Sequence, residues 1–159
     1  MYTPEDLDVV WCAFPYHDDP SKPGPKSRPC LVLGRESNLL TNGESFVYVA
    51  YGTSKTFKGG KYSVTIGRDD KFSMIDAGLI FPTAFKLDQV AALPFNKQFF
   101  PDAPSPAGSG HKDRCRMGAF NEKCRRALVR VFKNMSEDGL DLSETLFSAK
   151  KMRQSLAYR

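Results

Sequence analysis

The sequence predicts a mainly β fold, a small barrel or closed sheet with α-helices appended at its C-terminal end. Three observations carry this. Short runs of β-forming residues closed by turn signals recur as far as residue 90. No helical period appears before residue 111. After a Pro/Gly/Ser-rich stretch the apolar spacing then switches to that of an amphipathic helix.

The first run, Asp8 to Phe14, is apolar, rich in β formers and closed by Pro15, so it reads as a strand. Tyr16 to Ser27 holds Pro20, Pro23, Gly24 and Pro25 and reads as a long open loop. Arg28 to Leu33 is the second strand, with Pro29 tolerated at its start. Asn42-Gly43 marks a turn, and Phe46 to Tyr51 is the third strand, ending at Gly52. Lys55 to Gly60 is a basic loop, and Tyr62 to Ile66 alternates as a half-buried strand does. A turn at Arg68-Asp69-Asp70 leads into Phe72 to Ile75, and Leu79 to Phe81 and Phe85 to Val90 read as the last strands.

The predicted organisation is a β domain over residues 1–100, a linker over 101–110 and a basic helical extension over 111–159. In the extension Met117, Phe120, Cys124, Ala127, Leu128, Val131 and Phe132 share one helix face, and a second helix is predicted from Glu144 to about Leu156. Two such helices cannot bury themselves alone, so they are expected to pack on the barrel or on a dimer partner.

At 159 residues, 41% hydrophobic and 26% charged, the composition is that of a globular chain. No stretch approaches the roughly 20 apolar residues that span a bilayer. MYTPEDLD lacks the layout of a signal peptide, so a cytoplasmic location with no membrane partner is expected. Cys12 and Cys30 lie in apolar runs, where a free thiol acts as a small hydrophobe. His111, Cys115 and Cys124 fit no common zinc spacing, so neither a metal nor a cofactor is expected. Residues 1–110 carry 11 Lys and Arg against 12 Asp and Glu, whereas residues 111–159 carry 12 against 6. The basic character belongs to the C-terminal third, which is read either as a surface for nucleic acid or an acidic partner, or as a solvated helix face.

An ordered set of motifs then stands out: Val9-Val10-Trp11, Arg28-Pro29-Cys30-Leu31-Val32-Leu33, Tyr51-Gly52-Thr53-Ser54 and Asp88-Gln89-Val90. Over about residues 7–93 the chain resembles the MazF/PemK family of toxin ribonucleases. The resemblance implies an SH3-like barrel, usually a homodimer, that cuts single-stranded RNA without metal and is held by an antitoxin protein. It implies that Arg28 neutralises the scissile phosphate, that Thr53 hydrogen-bonds a phosphate oxygen with Ser54 assisting, and that Asp88 is the matching candidate base. Lys86 stands two residues before Asp88, where the family often has arginine.

Physical reasoning supports those roles. A guanidinium matches two phosphate oxygens at once, and a base beside a cation can deprotonate the 2′-hydroxyl. Lys86 and Asp88, two apart on one strand, are expected on one surface. His17 adds an acid–base candidate titrating near neutrality. Ser54, Lys55, Lys26, Arg125 and Arg126 are the candidate RNA-binding residues. Each also has a plainer reading: Arg28 paired with Asp18 or Asp19, Thr53 and Ser54 as turn residues, Asp88 as an exposed strand residue, His17 as a solvated side chain.

The chain departs from the family pattern in its proline-rich loop, in Tyr51-Gly52 and in the long addition over residues 95–159. Two further functions therefore stand beside the ribonuclease: a non-catalytic RNA- or DNA-binding module on the same barrel, and a gyrase poison.

Overall fold

A computed structural model describes residues 2–15, 21–37, 45–104, 115–143 and 146. The expectations for His17, for Asp18 and Asp19 as partners of Arg28, for His111, the Asn42-Gly43 turn, most of the linker and the helix from Glu144 fall outside these residues, save Leu146, which packs on Tyr48 and Ala92.

The fold is mainly β, as predicted. The elements are β1 (Asp8–Cys12), β2 (Arg28–Ser37), β3 (Ser45–Thr53), β4 (Ser63–Ile66), α1 (Lys71–Ala77), β5 (Thr83–Pro94), β6 (Arg116–Ala119) and α2 (Glu122–Glu137). The six strands form one antiparallel sheet, order β4-β5-β3-β2-β1-β6, curled into a half-barrel.

Successive strand residues face opposite sides of a sheet, and here both sides are covered. Val9, Leu31, Ala50 and Phe85 join one core with Cys124, Leu128, Val131 and Met135 of α2. Val10, Cys12, Cys30, Val32, Val47 and Val49 join a second core with Phe99, Phe100 and Cys115. Burial on both faces is why β1, β2 and β3 are nearly continuous apolar runs.

Three segments differ from the sequence reading. Residues 71–77 are helical: the Asp70 carboxylate accepts from the Ser73 amide at 3.2 Å, and Gly78, at φ 70°, closes the last turn. Leu79 to Phe81, read as a strand, form the connection to β5. Residues 116–119, read as the start of the basic helix, are instead the edge strand β6, pairing with β1 at Asp8–Ala119, Val9–Gly118 and Val10–Arg116. The C-terminal segment thus completes the sheet begun at residue 8.

α2 starts where Asn121 accepts from the Cys124 amide at 3.0 Å. The same side chain donates to Ser73 Oγ and to Asp76 Oδ2, each at 3.0 Å, tying α2 to α1. Replacing Asn121 by Ala removes the cap and both ties, an expected loss of about 1–2 kcal/mol. A urea titration would show it as a lower midpoint at unchanged slope; an unmoved midpoint would show the cap to be dispensable.

Candidate functional site

Arg28 opens β2, opposite Cys12 of β1, and its neighbour Pro29 stands at the start of the strand, before the pairing with β3 begins at Cys30. Its guanidinium hydrogen-bonds the Tyr51 hydroxyl and lies 4.7 Å from the Tyr51 ring centroid. Tyr51 is braced in turn by Phe14, edge-on with centroids 5.2 Å apart. The arginine is therefore held by an aromatic side chain from the adjacent strand, with its charge not neutralised by a carboxylate in that contact.

β3 ends in the Gly52-Thr53-Ser54 turn. A Cβ at position 52 would stand 2.0 Å from the Pro29 carbonyl oxygen, so only glycine lets β3 pass this close to β2. That approach keeps Thr53 beside the Arg28 segment. Thr53 Oγ1 accepts from the Lys55 amide at 3.1 Å, an interaction that leaves the hydroxyl proton to be donated elsewhere.

These groups border a cavity of about 1180 Å³. Arg28, Thr53, Ser54, Lys55, Lys26 and Lys86 all line it. Lys58 and Arg116 add two cations the sequence reading did not select, and Asp102 is the carboxylate in the lining. Among the described lining residues six cations stand against one carboxylate, so that even with Arg116 paired to Asp8 their balance is positive. Trp11, Phe14, Tyr51 and Phe81 supply aromatic surface in it.

Three predicted residues stand elsewhere. Arg125 and Arg126 are on the exposed side of α2, outside the cavity lining, and Arg126 pairs with Glu122 at 3.5 Å. Asp88 is exposed and also outside the lining. The cause is an irregularity in β5: Ala50 pairs with Val90 but Tyr51 pairs with Lys86, so the register with β3 shifts across residues 87–89. Across that bulge strict alternation fails. Lys86 and Gln89 line the cavity, whereas the Asp88 carboxylate acts on Tyr62, helping to raise its hydroxyl pKa behind the larger effects of Asp138 and burial.

The thiol of Cys12, across from Arg28, is pushed well up by burial and then by Cys30, so it is a packing group rather than a nucleophile. Among the described residues no cluster of three or more His, Cys, Asp or Glu side chains is arranged to hold a metal ion. Among them, too, no helix is long and apolar enough to cross a membrane.

A family model described as PemK-like, MazF-like toxin of type II toxin–antitoxin system matches residues 5–102. No curated protein matches the chain. Among solved structures, the Mycobacterium tuberculosis toxin MazF-mt6 is similar at 19% sequence identity and a TM-score of 0.49, over 84% of this chain and 98% of that one.

Proposed function

The chain belongs to the PemK-like, MazF-like toxins of type II toxin–antitoxin systems, and on that premise we propose that it is an endoribonuclease cutting single-stranded RNA without a metal ion. One observation carries the proposal: Arg28, anchored on Tyr51, borders the same cation-lined cavity as Thr53. A polyanionic strand suits such a recess, and its bases can stack on the aromatic lining.

In the proposed reaction the 2′-hydroxyl oxygen attacks the adjacent phosphorus and the bond to the 5′-oxygen breaks. The products are a 2′,3′-cyclic phosphate and a 5′-hydroxyl, the leaving 5′-oxygen taking up a proton from water. Arg28 faces the non-bridging oxygens and stabilises the charge that builds on them. Thr53 donates its hydroxyl proton to one of those oxygens, with Ser54 beside it. Lys86, Lys26 and Lys55 hold the flanking backbone as point charges.

The 2′-hydroxyl proton needs an acceptor within reach. Asp88 stands outside the cavity lining and Asp102 within it, which supports Asp102 as the proposed base. Asp102→Asn is expected to lower kcat by about 10²-fold, and Asp88→Asn to leave kcat essentially unchanged. Single-turnover cleavage of both variants decides the assignment; the reverse order of effects returns the role to Asp88.

Membership of the family implies an antitoxin partner. The protein is further proposed to work in the cytoplasm, where its RNA substrates are, and to form a homodimer, an association supported by the exposed apolar side chain of Phe72, which lies outside the cavity lining. The decisive experiment is incubation of the purified full chain with a long single-stranded RNA in EDTA. Fragments with cyclic-phosphate ends are expected; intact RNA across a wide range of protein concentrations would refute the activity.

A further inference from the structure

Arg116 was grouped by sequence with the basic helix, yet it lies on β6 and lines the cavity. Its backbone pairs with Val10 of β1, while Arg28 pairs with Cys12 on the other side of the same strand. β1 therefore carries an arginine on each flank, two residues apart along its length. Trp11, the residue between, also lines the cavity. Two strand spacings of about 4.8 Å and two residues of about 3.4 Å separate the two backbone positions.

Arg116 is held there by a buried carboxylate. Asp8 is only 4% exposed. Its Oδ1 lies 3.4 Å from Arg116 Nε, and its Oδ2 accepts from the Tyr2 hydroxyl at 2.5 Å and the Glu5 amide at 3.0 Å. Burial and the Asp8 hydrogen bond both keep the Tyr2 hydroxyl protonated, so it stays a donor. A buried carboxylate is costly unless paired and hydrogen-bonded, and here the pairing directs a guanidinium to the cavity wall.

We propose that Arg116 is a second phosphate-binding residue, contacting a phosphodiester that flanks the one cut, and that Asp8 is the positioning residue that fixes it. This rests on the ribonuclease reading for its substrate, single-stranded RNA. Arg116 acts on binding of the strand; Arg28 acts on the reacting phosphate.

The test uses the full chain and a single-stranded RNA oligonucleotide made uncleavable by 2′-O-methylation, with affinity measured by fluorescence anisotropy across a series of salt concentrations. Each phosphate contact to a single strand contributes about 0.7 to the slope of log affinity against log salt. Arg116→Gln is expected to reduce the slope by about that amount, Arg116→Lys to preserve it, and Arg130→Gln on the exposed face of α2 to leave it unchanged. On cleavable RNA, Arg116→Gln should raise KM about tenfold, the loss of one charge-assisted hydrogen bond, with kcat nearly constant.

Asp8→Asn should raise KM too, and add nothing in the Arg116→Gln background. A purely structural ion pair would lower the melting temperature without moving the salt slope, and that result overturns the proposal. Additive effects of Asp8→Asn and Arg116→Gln overturn the positioning role of Asp8. Wild-type protein that binds the oligonucleotide but never cuts RNA refutes the ribonuclease reading alone; the slope measurement still decides Arg116.

Discussion

Arg28→Ala is expected to slow cleavage of single-stranded RNA by about 10²–10³-fold, the usual consequence of removing one preorganised donor from a developing oxyanion. The loss should appear in kcat more than in KM, because Lys26, Lys55, Lys58, Lys86 and Arg116 remain in the cavity lining to hold the strand. Stability should change little. Arg28 is partly exposed, and its described partner is the Tyr51 side chain rather than a buried carboxylate. Arg28→Lys keeps the charge but loses the planar fork and the same reach to Tyr51, so an intermediate rate is expected. Single-turnover kinetics on one defined oligonucleotide, with a thermal melt of each variant, measures both quantities. Arg28→Ala protein cutting at the wild-type rate would remove Arg28 from the reaction.

The second large effect is expected at a residue that bears no chemistry. Gly52→Ala places a methyl group 2.0 Å from the Pro29 carbonyl oxygen and 3.3 Å from the Phe85 ring. The oxygen belongs to backbone in a paired strand, so the contact is relieved only by moving β3 away from β2. Overpacking of this kind costs about 1–3 kcal/mol, which lowers the melting temperature by roughly 2–4 °C per kcal/mol in a chain of this size. Gly52 sits between Tyr51, which holds Arg28, and Thr53. A displacement near 1 Å there is expected to slow cleavage by about 10²-fold even where the variant is fully folded. The measurement is a thermal melt followed by cleavage assays well below the melting temperature. A variant with the wild-type melting temperature would show that β2 and β3 part at this point without cost.

Legibility followed local chemistry. β1, β2 and β3 were readable because β-branched and aromatic runs are bounded by Pro15, Pro29 and Gly52. α1 was not, since it has seven residues and turns Phe72 and Ile75 to solvent, 82% and 74% exposed, leaving no apolar stripe to detect. β6 was mistaken for helix because Met117 and Phe120 fit the spacing that Cys124 and Leu128 continue. The partner that makes it a strand lies more than a hundred residues away in the sequence. Among site residues, Arg28, Thr53, Ser54, Lys55, Lys26 and Lys86 do border one cavity. Asp88 does not, because the register shift in β5 breaks the alternation on which its sharing a face with Lys86 depended. Tyr51 read as a strand residue, and Arg116 as a helix-face cation; each owes its place in the cavity to cross-strand neighbours that no local pattern announces.

The pairing of β1 with β6 also sets a clock. Asp8 and Arg116 are 108 positions apart, so β1 waits for one of the last described elements before both its edges are covered. At about 5–20 residues per second, that interval is on the order of 5–20 s of synthesis. Throughout it β1 has at most one neighbour, and closing so long a loop is a slow, non-local step. The nascent chain therefore carries Arg28 long before Arg116 can take its place beside β1.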